Sequence, residues 1–87
     1  MPPLPQIITP AVFRHVENET PSGIIDGLNV TFYTQHRFIN DSPQVYLNGL
    51  RIRPGIGNDY TTPNDQTIVF NYAPTTGDVI FVDYFRR

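Results

Sequence analysis

The sequence predicts an all-β fold, a small antiparallel β-sandwich or barrel of the Ig-like kind with an extended proline-rich N-terminal arm. Three observations carry that expectation. Nine prolines and six glycines fall among 87 residues, a spacing too close for any long helix. No window repeats apolar residues at the i, i+3, i+4 spacing of an amphipathic helix, and alternation of apolar with polar residues dominates instead. The alternating runs are short and separated by turn-forming clusters at regular intervals, as in sandwiches and small barrels.

Taken in order, residues 1–10 hold four prolines together with Leu4, Ile7 and Ile8. Proline fixes φ and removes backbone donors, so this stretch reads as an arm outside any ladder. Pro2 and Pro5 have the PxxP spacing of an SH3-type ligand, but the motif is degenerate and a stiff tail produces it equally. The arm is more apolar than a solvated linker, and it is read as a tether lying on a neighbouring subunit. Residues 11–17 offer a possible first strand through Val12, Phe13 and Val16. The division expected is therefore 1–18, an arm with a possible first strand, and 19–87, a single β-sandwich domain.

Residues 19–23 form a turn cluster. Residues 28–34 then alternate, with Leu28, Val30 and Phe32 on one side and Asn29, Thr31 and Tyr33 on the other, and the first set is expected in the core. The sharpest local signal lies in residues 44–53. Asn48-Gly49 supplies the two positive-φ positions of a type I′ hairpin turn. Leu47 is then opposite Leu50 and Val45 opposite Ile52, all four on the core side, with Tyr46 and Arg51 paired outside. Residues 59–62 read as a short edge strand, ended by Pro63. Ile68 and Phe70 point inward from the next strand, and residues 73–77 turn the chain again. In the last strand, solvent exposure of Asp83 puts Ile80, Val82 and Tyr84 inside, and Val79 and Phe81 on an outer apolar patch of the kind that partners cover.

The totals bound what this domain can do. A chain of this length buries only about 60–65% of its unfolded surface, so small domains gain from disulfides, metals or association. With no cysteine and only His15 and His36, disulfides and thiolate sites are excluded, no metal or other cofactor is expected, and association gains weight. The net charge is −2, and the basic residues Arg14, Arg37, Arg51, Arg53, Arg86 and Arg87 are spread along the sequence. No basic stripe follows from that spacing, so no nucleic-acid partner is expected. No apolar run is long enough to span a membrane, and residues 1–6 lack the regions of a signal peptide. Synthesis in the cytoplasm is the expectation.

Each catalytic constellation fails on inspection of the residues. Ser22 and Ser42 are outside any G-x-S-x-G elbow. The eight acidic residues include no calcium-loop run, and a small domain seldom builds the deep cleft of a glycosidase. The glycines at 55 and 57 lack the helix and lysine of a phosphate loop. The triplets starting at Asn18 and Asn29 match the glycosylation pattern, which is frequent by chance. The expectation is a protein that is not an enzyme. Tyr33, Tyr46, Tyr60 and Phe81 are candidates for a sugar-stacking or protein-binding face, against the plainer reading of cross-strand pairs that stabilise the sheet.

Two blocks resemble a β module of tailed-phage virion structural proteins, of the tail-fibre, baseplate and head-associated type. The first, residues 19–32, carries G-x-x-x-G-x-N-x-x-F through Gly23, Gly27, Asn29 and Phe32. The second runs from V-Y-L-N-G at Val45 through Asp59-Tyr60, Ile68-Val69-Phe70 and A-P-x-x-G-D at Ala73 to Tyr84. The resemblance spans roughly residues 19–85 and transfers no active site. It implies a structural part of a virion. In fibres such modules sit within much longer chains, whereas here the module stands nearly alone with its arm. The expected role is a capsid decoration or cement protein, gripping the major capsid protein or other virion subunits through Leu4, Ile7, Ile8 and Phe13 and through Val79 and Phe81. A homo-oligomer is expected in the particle, a trimer being common where sheets decorate a threefold axis. The alternative is a tail-fibre, baseplate or neck component that binds a host receptor or glycan.

Overall fold

A computed structural model describes residues 14–87; the expectations placed on Leu4, Ile7, Ile8, Val12 and Phe13 lie outside them. Seven strands follow one another: β1 (Arg14–Glu19), β2 (Thr31–Tyr33), β3 (Gln44–Leu47), β4 (Leu50–Arg51), β5 (Tyr60–Asn64), β6 (Thr67–Phe70) and β7 (Ile80–Arg86). They form two sheets, ordered β1-β7-β3-β4 and β2-β6-β5. Every strand pairing is antiparallel. The described residues include no helix.

Period-two alternation decides which side chains enter the space between the sheets. From the four-stranded sheet come Val45, Ile80, Val82 and Tyr84; from the three-stranded sheet come Phe32, Tyr60, Ile68 and Phe70. Phe38, on the connection between β2 and β3, is fully buried among them. Phe32 meets the edge of Phe70 at 5.4 Å and Phe38 that of Tyr84 at 6.0 Å, the tilted geometry that aromatic quadrupoles favour.

The hairpin of β3 and β4 pairs Tyr46 with Arg51 and Leu47 with Leu50. Asn48 and Gly49 take φ of 52° and 86°, the left-handed values that the I′ turn requires. The asparagine amide also reaches beyond its own hairpin. It donates to Asp78 Oδ1 at 3.0 Å and accepts from the Val79 N–H at 2.9 Å, so it clamps the turn that launches β7.

Two expected core positions are corrected. Leu28 is 84% exposed, because the alternating run does not become a strand until Thr31. The Asp26 carboxylate accepts the N–H groups of Leu28 and Asn29, both at 2.9 Å, and folds the chain into an Asx turn that lifts Leu28 out. Leu50 is 73% exposed, since β4 is a two-residue edge strand with a neighbour on one side only. Its cross-strand partner Leu47, and Ile52 beyond β4, are half-buried and pack against the core.

Gly23 has a role that only the packed structure gives it. A Cβ there would come within 2.4 Å of the Phe32 ring, and its φ is 149°. Asn29 donates its amide to Ile24 O at 3.1 Å and Thr31 O at 2.9 Å. The glycines, asparagine and phenylalanine of the first block thus build one local unit, in which a polar staple shapes the loop over a buried ring.

Candidate interaction surface

The outer face of the four-stranded sheet carries exposed apolar side chains. Strand parity sends Val79, Phe81, Asp83 and Phe85 outward, opposite to the buried Ile80, Val82 and Tyr84. Tyr46 lies directly across from Phe81 and Gln44 across from Asp83. On the other side of β7, His15 stacks on Phe85 with ring centroids 4.7 Å apart. Val79 and Phe85 are 45% and 43% exposed, and Phe81 is half-buried. The result is a stripe of aromatic and branched side chains interrupted by Asp83, whose Oδ1 accepts the Asn18 N–H at 2.8 Å.

The aromatic set Tyr33, Tyr46, Tyr60 and Phe81 does not form one face. Tyr60 is buried between the sheets at 1% exposure, with its hydroxyl donating to Pro43 O at 3.3 Å. Tyr33 belongs to the three-stranded sheet, and only Tyr46 and Phe81 are cross-strand neighbours. Period-two parity had left the orientation of Tyr60 open, and its edge-strand position gave no reason to bury it.

A second cluster of exposed apolar side chains lies at the loop end that carries the Asn48 clamp. Leu50 follows the hairpin turn, and Val79 follows the clamped Asp78. Gly27 N–H donates to Pro74 O at 2.8 Å, which brings the loop of Ile24 and Leu28 to the same end. Ile24 is 65% exposed.

The titratable groups describe a scaffold. Tyr84, fully buried, donates its hydroxyl to Glu19 Oε1 at 2.5 Å and accepts the His36 N–H at 3.2 Å. Burial first, and the Glu19 carboxylate second, push its phenol up to about 12, so it stays protonated at neutral pH. Burial raises Tyr60 as well. Tyr72 is raised by burial and by the charges of Asp59 and Asp78. Asp78 is held below the usual carboxylate range by the Asn48 amide and then the Thr75 N–H. The Asn29 and Leu28 N–H groups do the same for Asp26. The Tyr84 and Asp78 shifts involve partners that join separate segments of the chain.

An open groove of about 620 Å³ runs beside β5 between Asp41, Pro54, Ile56, Thr61 and Pro63. Among the described residues that line it, Asp41 is the one titratable group. Among the described residues no group of three His, Asp or Glu is placed to hold a metal ion, and no helix is long and apolar enough to cross a membrane.

The fold defines a class: an all-β domain of two packed antiparallel sheets, one of which turns an apolar face outward. Comparison with known proteins adds no family to that class, since no family model, curated protein or solved structure matches the chain.

Proposed function

We propose that this protein is a non-enzymatic structural component of a tailed-phage virion, built on an Ig-like sandwich, that decorates or cements the capsid. The outer face of the four-stranded sheet carries this reading. Val79, just before β7, and Phe81 and Phe85 on it form an apolar strip opposite the side chains that β7 sends into the core, and such a strip on a small domain favours a partner. Residues 1–13, with Leu4, Ile7, Ile8 and Phe13, supply the second contact as an extended proline-rich arm. Many weak contacts repeated over a symmetric shell add through effective concentration. The likeness of residues 19–85 to virion β modules supports the same assignment. The partners proposed are the major capsid protein or other virion subunits and further copies of the chain as a homo-oligomer. Neither nucleic acid nor membrane is among them, and the location proposed is the virion. The seven strands of the described residues, split four and three, match an Ig-like sandwich in number, while their order, β1-β7-β3-β4 and β2-β6-β5, differs from the Ig order.

A tail-fibre, baseplate or neck role with receptor or glycan binding is the second reading. The observation that favours it is the loop end where Ile24, Leu28 and Leu50 stand exposed, since loops at one end of a sandwich are a common recognition surface.

Binding of the purified protein to undecorated capsids separates the two, with the full chain and a form lacking residues 1–10 compared. Saturable binding that weakens without the arm is the expected result. No binding by either form rejects the capsid role and transfers the assignment to the tail.

A further inference from the structure

Four of the six arginines, from three separate stretches of the sequence, come to one end of the sandwich. Arg14 on β1 is the direct cross-strand partner of Arg86 on β7, so the two side chains leave the same face of the sheet next to each other. That face is the inner one. Arg86 continues the buried series Ile80, Val82 and Tyr84, and Arg14 precedes by two residues Val16, which packs against the core. Arg37 joins them through the backbone: Arg87 N–H donates to Arg37 O at 2.9 Å, and Phe38 bridges to Arg86.

Like charges directly opposed on a ladder are destabilising, and the described residues offer little to offset them. Asp65 Oδ2 lies 3.8 Å from both Arg37 Nη1 and Arg87 Nη1, one carboxylate shared at the limit of ion pairing. On the inner face Glu19 is already engaged, by Tyr84 and by the Gln35 N–H at 2.6 Å. No ion pair among the described residues includes Arg14 or Arg86. The Arg86 Nε is buried and has no hydrogen-bond partner among the described residues. Residues 1–13 contain no Asp or Glu, so that segment brings no side-chain carboxylate to the cluster. A desolvated donor without an acceptor and an opposed pair of cations each carry a cost, and a bound oxyanion relieves both through charge-assisted bonds.

We propose that this end of the molecule binds the carboxylates of an acidic segment on a partner protein. Three features narrow the ligand to that chemistry. The open end of a sandwich does not enclose a small molecule as a pocket does, and the groove beside β5 is lined by other residues. A nucleic acid strand needs a track of positive charge, whereas this chain has a net charge of −2, no lysine, and only Arg51 and Arg53 besides these four arginines. A few carboxylates on a short segment match a compact group of planar guanidinium forks. The inference stands apart from the virion assignment, because it rests on charge and burial alone.

Fluorescence anisotropy with labelled hexaglutamate as the probe tests it on the full chain. The variants are R14Q/R37Q, which alters two exposed side chains, and R51Q/R53Q as a control elsewhere on the surface. Saturable, salt-sensitive binding by the parent chain and the control, weakened at least tenfold in R14Q/R37Q, is the expected result. Thermal melting adds a readout that does not depend on the probe's affinity: Arg14→Gln raises the Tm of the ligand-free protein by relieving the cross-strand repulsion. Equal hexaglutamate affinity in the parent and R14Q/R37Q, or no binding by the parent, overturns the proposal. So does a lowered Tm for Arg14→Gln, or tighter binding of a single-stranded oligonucleotide than of hexaglutamate.

Discussion

At the scale of single residues, Tyr84 ties β7 to β1 and to the β2–β3 connection. Its ring is buried against Phe38, and its hydroxyl ties Glu19 on β1 to the backbone of His36. Tyr84→Phe keeps the ring and removes the hydroxyl, leaving a carboxylate short of one donor. A loss of about 1–3 kcal/mol in unfolding free energy is expected from denaturant titration. The pH dependence has a definite sign. The folded-state value lies above the ordinary 10, at about 12, so the folded protein holds the proton more tightly than the unfolded chain. That contribution is complete below pH 10 and is lost as pH rises through about 12. Tyr60 and Tyr72 are raised too, so the parent chain loses stability over this alkaline window, and Tyr84→Phe loses less. Equal alkaline slopes in the two proteins would show that Tyr84 is not the group responsible.

At the scale of elements, the bulge in β1 decides what that strand can contribute. Val16 pairs with Tyr84 but Glu19 pairs with Val82, and the ladder shifts between them. Asn18, at φ of 57°, is the extra residue. Were Asn18 paired in a regular ladder instead of bulged, Glu19 would fall opposite Phe81, on the outer face, because a one-residue slip exchanges the faces of a strand. The bulge is what turns a carboxylate inward to Tyr84. Asn18→Val, whose branched side chain resists the positive φ of the bulge, is therefore expected to weaken the Glu19–Tyr84 bond and the hold of the Glu19 carboxylate on the Gln35 N–H. A stability loss at least as large as that of Tyr84→Phe, with faster amide exchange at Gln35, checks this. Exchange at Gln35 unchanged from the parent would contradict it.

The molecule separates a buried interior from surfaces that have no partner among the described residues. β7 is central to both. Its inner side chains are at or near complete burial, and its outer ones form the apolar strip. A double substitution of Val79 and Phe81 to serine removes apolar area from the outer strip while sparing the core. A stability change within about 1 kcal/mol is expected, together with loss of binding to undecorated capsids. Retained capsid binding would move the docking surface elsewhere, to residues 1–13 or the loop end.

What the sequence determined by itself is whatever depends on parity and on turn chemistry. The all-β class follows from alternation and from proline and glycine spacing. The inward set of β6 and β7 follows from a period of two anchored by Asp83. The hairpin register follows from Asn48-Gly49, since a two-residue turn leaves one pairing. Tertiary structure decided everything that depends on which strands become neighbours. Leu28 and Leu50 carry apolar side chains in alternating runs, yet one is lifted by an Asx turn and the other sits on an edge without a neighbour. Tyr60 is buried although nothing in its own segment requires it. The arginines, spread along the chain, converge because the antiparallel pairing of β1 with β7 brings Arg14 to Arg86. Local sequence specifies which face a residue takes along its own strand. Register between distant strands and the depth of each edge arise from packing the whole chain, so the partners of those side chains are settled only there.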